Sequence, residues 1–215
     1  MPAQTPNDQA VAVGFWIFPP DRELGLLLAL LAVLVAGCAS TTVRFEPAPP
    51  DTAVCQAGGE SLSALVLWAP AWRPDQKDVP LREVAAEQGV SRFFDDSGCF
   101  ARVRIQRAAS GMPADAQDVR RQAAISQLKP DRIVAIWVRE LGPVVKLLAS
   151  PALVDGGTEV VLTVGSYSAD GSARTSLFSV HWQNGGPGVV KGVATLPADM
   201  AAALDVALRP GVRAR

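Results

Sequence analysis

Apolar and polar positions along this chain alternate between two periods, and each switch predicts an element. Ser63 to Ala69 (Ser-Ala-Leu-Val-Leu-Trp-Ala) is almost continuously apolar and stops at Pro70, which predicts a buried strand. Asp78 to Asp96 predicts a helix, with Asp78 as its cap, Pro80 in its first turn, and Leu81, Val84, Ala85 and Phe93 near one face. Gly89 is a weak point within it, and Ser97-Gly98 ends it. Phe100 to Arg107 then changes to a period of two. Ala101, Val103 and Ile105 lie on one side and Arg102, Arg104 and Gln106 on the other, as in a half-exposed strand near a sheet edge.

The unit then repeats more loosely. Ala116 to Leu128 predicts a helix between Asp115 and Pro130, and Arg132 to Arg139 a second buried strand. Val144 to Leu148 reads as a further short strand. Glu159 to Ser168 and Ala173 to Trp182 flank Ala169-Asp170-Gly171-Ser172, a tight hairpin signal. Asn184 to Gly188 reads as a loop. Pro197 to Leu208 predicts the last helix, with Met200, Ala203, Leu204, Ala207 and Leu208 as its apolar stripe and Pro210-Gly211 as its stop. This order predicts an α/β (α+β) domain over residues 61–210, one mixed sheet with about three helices packed on it, and a tail at 211–215.

The N-terminal region follows another logic. Leu24 to Ala36 is uncharged and apolar, too short to span a bilayer but suited to the core of an export signal. Asp21-Arg22-Glu23 before it is a poor n-region, and the stretch ahead is long, which leaves the translation start open. Leu34-Val35-Ala36-Gly37-Cys38 resembles a bacterial lipobox. Small side chains let an extended backbone enter a peptidase groove, so cleavage is expected between Gly37 and Cys38. The Cys38 thiol would take a diacylglyceryl group and the new N-terminus a further acyl chain, giving stable anchoring. Ala39 follows where, in the proteins this resembles, Asp would favour the inner membrane, so the expectation is the outer membrane facing the periplasm. The alternative is a plain signal peptide or short anchor helix that happens to contain a cysteine. Residues 38–60, with Pro47, Pro49, Pro50, Gly58 and Gly59, read as the lipidated N-terminus and a flexible tether. The alternative is an irregular first strand.

Composition narrows the classes. Of 215 residues, 49% are hydrophobic and 19% charged, a foldable balance. Removing residues 1–37 takes Arg22, Asp8, Asp21 and Glu23, leaving 19 Lys+Arg against 18 Asp+Glu, with no electrostatic footprint for nucleic acid. Lipidation of Cys38 leaves Cys55 and Cys99, and export places them in an oxidising compartment. A Cys55–Cys99 disulfide pinning the tether to the domain is the simple reading; two separately buried thiols are the alternative.

Phe94-Asp95-Asp96-Ser97-Gly98-Cys99-Phe100-Ala101-Arg102-Val103 resembles the helix, Ser-Gly-x-Phe, strand junction of the N-terminal domain of the TolB protein, and of small envelope lipoproteins of related α/β fold. Lys129-Pro130-Asp131-Arg132 and the apolar strand after it resemble the next step of the same pattern. The resemblance spans residues 61–183 and implies a non-catalytic domain that docks envelope partners. It departs from the pattern at Cys99 and in lacking a β-propeller after the domain, and it carries over no binding residues.

Chemistry-bearing residues are sparse. His181, the sole histidine, shares a strand face with Ser179, too distant for a designed Ser–His pair, and no Gly-x-Ser-x-Gly elbow is present. One histidine and two thiols make a zinc site a poor expectation. Gly185-Gly186-Pro187-Gly188 lacks phosphate-loop spacing, and Asp95-Asp96 reads as a solvated helix end. Trp68, Trp72 and Arg73 are candidates for partner contact, joined by Arg139 and Glu140 at the end of another strand; the alternative makes Trp68 core with Trp72 capping it. The expectation is therefore a membrane-anchored, non-enzymatic lipoprotein with no cofactor beyond the lipid on Cys38, which binds another envelope protein. The second reading is an auxiliary binding a small apolar or lipid ligand in a cavity between sheet and helices.

Overall fold

The computed structural model describes residues 39–48, 52–55, 62–108, 116–126, 129–147 and 154–209. Gly37, Cys38 and the export signal lie outside these, as do residues 210–215. One mixed six-stranded sheet carries three helices. In chain order the elements are β1 (Ser40–Glu46), β2 (Ser63–Pro70), α1 (Val79–Ser97), β3 (Arg102–Arg107), α2 (Ala116–Ile125), β4 (Arg132–Leu147), β5 (Val154–Tyr167), β6 (Arg174–Pro187) and α3 (Leu196–Leu208), with a 3-10 turn at Val193–Thr195. The strand order is β1-β6-β5-β4-β2-β3. β2 runs parallel to both β3 and β4, and every other pairing is antiparallel.

Two crossovers explain the layers. The β2-α1-β3 crossover puts α1 on one face, where it joins α3 over Ala64, Val66 and Trp68 of β2, Val134, Ile136 and Val138 of β4, and the inward residues of β5 and β6. The β3-α2-β4 crossover puts α2 on the other face, over Leu65, Leu67, Ile133, Ala135 and Trp137. Both faces of β2 are thus covered, which is why it reads as a continuous apolar run.

The structure corrects several expectations. Ser40–Glu46 is not tether but the edge strand β1, paired from Ser40↔Gly185 to Glu46↔Ser179. Val43 and Phe45 pack on the core from one side of β1, while Thr42, Arg44 and Glu46 point away. Thr52–Cys55 is also held to the domain. Val54 and Cys55 are buried, the Cys55 N–H donates to Leu208 O at 2.9 Å, and Arg132 donates to Val54 O at 3.0 Å. Asn184–Pro187 is not a loop but the end of β6. Gly142-Pro143 does not interrupt β4, which continues past a bulge between Val138 and Glu140. β5 and β6 are each longer than the hairpin signal predicts because glycines face glycines there. A Cβ on Gly185 would stand 2.2 Å from Gly156 O and 2.7 Å from Gly157 Cα.

In α1 the buried stripe is Ala85, Ala86, Gly89, Val90, Phe93 and Phe94, whereas Leu81 and Val84 are exposed. Asp78 precedes the helix with φ 54° and makes no side-chain cap bond. Gly89 is the point of closest approach to α3: a Cβ there would lie 2.5 Å from Met200 Cβ and 2.8 Å from Pro197 O. Helix propensity favours alanine over glycine by about 1 kcal/mol, but overpacking at a helix contact costs about 1–3 kcal/mol. Gly89→Ala is therefore expected to destabilise the fold by about 2 kcal/mol, read as a lower urea midpoint. An unchanged or raised midpoint would mean that the two helices separate without cost.

The β5–β6 turn is fixed locally. Gly171 has φ 70°, and the Asp170 carboxylate accepts from Ser168 Oγ (2.7 Å), Ser172 N (3.0 Å) and Ser172 Oγ (2.7 Å). These bonds, the Ser172 backbone bond foremost, hold the Asp170 carboxyl well below the usual carboxylate range. A depressed carboxylate stabilises the turn at neutral pH and loses that contribution as pH falls through its lowered value. An NMR titration is expected to show Asp170 protonating only well below the usual carboxylate range. Protonation within that range would refute the hydrogen-bonded turn.

Candidate binding face

The helix α2 covers β2, the start of β4 and the turn ends of β5 and β6, where Tyr167 and Leu177 join its cluster. Across β1 and the rest of β6, β5 and β4, no helix among the described residues lies on that side. Strand alternation therefore presents Thr42, Arg44 and Glu46 of β1, Ser179, His181 and Gln183 of β6, and Glu159, Val161 and Thr163 of β5 to this side. Register aligns them in rows: Arg44 stands opposite His181, His181 opposite Val161, and Val161 opposite Glu140.

Specific contacts organise the face. His181 Nε2 is buried and meets the Glu159 carboxylate. Thr163 and Ser179 share a hydroxyl bond of 3.1 Å, and Asn184 donates to Thr41 Oγ1 at 2.8 Å. Two clefts flank His181. One, of about 240 Å³, is lined by Thr42, Arg44, Val144, Glu159, His181 and Gln183. The other, of about 470 Å³, runs from Arg44 and Glu46 past Val161 and Ser179 to Arg139. Both offer guanidinium, carboxylate and hydroxyl groups, chemistry for polar recognition of another surface.

The structure brings Arg73 and Glu140 together and parts the other residues that the sequence grouped with them. Trp68 is 1% exposed in the core with the Arg107 guanidinium 5.3 Å from its ring, so it offers no contact surface. Trp72 is partly buried against the same core, its indole N–H unpartnered. Arg73 meets Glu140 at 2.8 Å, and Arg82 of α1 lies 4.0 Å from the same carboxylate. Arg139, at the bulge, lines the His181 cleft, while Glu140 is held by Arg73 and Arg82. The structure brings Cys55 and Cys99 together in a disulfide, Cα atoms 5.2 Å apart. Asp95 and Asp96 are exposed at the end of α1. Among the described residues no three His, Cys, Asp or Glu side chains converge on a metal position, and no helix is long and apolar enough to cross a membrane.

Three features went unread in the sequence. Arg44 was legible from the alternation Thr42-Val43-Arg44-Phe45-Glu46, a strand signal in a proline-flanked segment. Glu159 needed the register that brings it to His181. Asp199 is buried in the first turn of α3, where it accepts from Thr158 Oγ1 (2.6 Å), Lys191 Nζ (2.7 Å) and Thr195 Oγ1 (3.1 Å).

No family model matches the sequence, and no curated protein matches it. Solved structures are similar to it at a distance. The PelC dodecamer from Paraburkholderia phytofirmans is 18% identical with a TM-score of 0.41, over 79% of this chain and 98% of that one. Protein XCC0632 from Xanthomonas campestris, of the DUF330 family, is 16% identical with a TM-score of 0.38, over 76% and 85%. Lipoprotein GNA1162 from Neisseria meningitidis is 13% identical with a TM-score of 0.34, over 67% and 96%.

Proposed function

We propose that this protein is a non-catalytic envelope lipoprotein, held by acyl chains on Cys38 in the outer membrane facing the periplasm, which docks another envelope protein through the open sheet face around Arg44, His181 and Arg139. The observation that carries this reading is the polar half of the sheet: among the described residues no helix lies on this side of β1 and of most of β6 and β5, whereas α1 and α3 pack on the other. A sheet face with groups of both charges and hydroxyls suits a protein surface of complementary charge. The polar lining of both clefts favours this over an acyl or other apolar ligand. Cys38 lies two residues before β1, so lipidation would hold the face beside the membrane.

Two measurements test it together. Intact mass of membrane-extracted protein is expected to show an acylated chain beginning at Cys38, with Cys38→Ala released from the membrane fraction. A photo-crosslinking amino acid at Arg44 or Arg139 is expected to capture one discrete envelope protein, and the same group at Asp96 is not. An unacylated chain would end the anchor reading. Identical crosslinking patterns at Arg139 and Asp96 would end the docking reading.

A further inference from the structure

We propose that the loop Gly188–Thr195 is a membrane-contacting surface, which seats Val190 and Val193 in the headgroup region of the bilayer that carries the Cys38 lipid. This rests on the lipid anchor at Cys38 and adds to it a second point of contact, which fixes how the domain stands. The first observation is where the chain enters the sheet. Ser40 pairs with Gly185, and only Ala39 separates it from Cys38, so the acylated residue lies within about 7 Å of Ser40. The end of the sheet that holds Ser40 and Gly185 is therefore the end at the membrane. β6 finishes at Pro187 on this end, and the loop follows directly, its Val189 N–H donating to Gly186 O at 3.1 Å.

The second observation is what the loop exposes. Val190 is 82% exposed and Val193 44%, two of the five large apolar side chains left in the open among the described residues. The exposed positions from Pro187 to Ala194 are Pro187, Gly188, Val190, Gly192, Val193 and Ala194, none of them charged. The single charged residue of the loop, Lys191, is turned inward. Its ammonium bonds Asp199 at 2.7 Å and stands 5.9 Å from the Trp182 ring centroid. A loop facing water would gain by exposing that ammonium and covering the valines. Here the reverse arrangement is fixed by Asp199 and by Thr195, which donates to Gly192 O through both its N–H (3.1 Å) and its hydroxyl (3.0 Å). Small apolar side chains on a fixed loop beside an acyl anchor fit shallow burial at the headgroup–acyl boundary. With both contacts made, β6 rises from the membrane, and the Asp170–Gly171 turn stands roughly 35 Å further out along the strand.

The test uses the full chain, extracted from membranes and reconstituted into phosphatidylethanolamine–phosphatidylglycerol vesicles. Val190→Cys and, as the control at the far end of α1, Asp96→Cys are each labelled with a polarity-sensitive nitrobenzoxadiazole, and intact mass is recorded on the same samples. The expected result is blue-shifted emission at position 190 that is lost to lipid-borne nitroxide quenchers, with neither effect at position 96. Acylated protein whose label at 190 behaves as at 96 would overturn the loop contact and leave the anchor standing. Protein without the acyl mass on Cys38 would overturn both.

Discussion

Reducing the Cys55–Cys99 disulfide is expected to lower the stability of the domain by about 4 kcal/mol, the loss of loop-closure constraint for a sequence separation of 44. The effect is large because of what the link fastens. Cys55 is buried between the C-terminal ends of α1 and α3, its N–H donating to Leu208 O and its Sγ accepting from Arg209 Nε at 3.3 Å. Arg209 also bonds Ser97 O, pairs with Asp205 at 3.4 Å and lies 5.8 Å from the Phe93 ring. The disulfide thus closes a cluster in which the segment Thr52–Cys55, the α1–β3 junction and the end of α3 meet. Urea unfolding with and without reductant reads the loss directly. Cys55→Ser with Cys99→Ser should match the reduced wild type. An equal midpoint for oxidised and reduced protein would show that the cluster holds without the covalent link.

Asp199→Ala is expected to cost about 3 kcal/mol, the lower end for breaking a buried ion pair. Asp199 is 8% exposed, and its carboxylate takes three donors, from Thr158 on β5, Lys191 in the loop and Thr195 before α3. Removing it strands the Thr158 hydroxyl, which is fully buried, and an ammonium whose side chain is only 16% exposed. It also removes a negative charge from the N-terminal turn of α3, where the helix dipole favours one. Asp199→Asn keeps an acceptor for Thr158 and loses only the charge, so its cost should be clearly smaller. Thermal or urea unfolding of the two variants checks the order. Equal losses would mean that the hydroxyl bonds carry the site and the Lys191 charge carries nothing.

Local pattern was enough wherever an element is specified by its own residues. β2 was legible because burial on both faces leaves an unbroken apolar run. The stripe of α3 was legible because Met200, Ala203, Leu204, Ala207 and Leu208 keep the helical period and all are buried. The β5–β6 turn was legible because Asp170 and Gly171 supply the bonds and the positive φ on the spot. These elements, in their order, also fixed the α/β class.

Tertiary structure decided whatever depends on a partner far along the chain. β1 looked like tether because prolines follow it, and its hydrogen-bond partners lie more than a hundred residues away in β6. The face of α1 was misjudged because a glycine counts as a gap in an apolar period, whereas here its missing side chain lets α3 approach. Arg139 and Glu140 adjoin in the sequence and read as one contact pair, whereas Arg139 lines a cleft and Glu140 pairs with Arg73 and Arg82. The candidate face itself is a product of register: Arg44, Glu159 and His181 come from three strands, and pairing alone sets them side by side. Periodicity reports which way a side chain points from its own backbone. Only the packed sheet determines what stands opposite it, because that depends on contacts the local sequence does not contain.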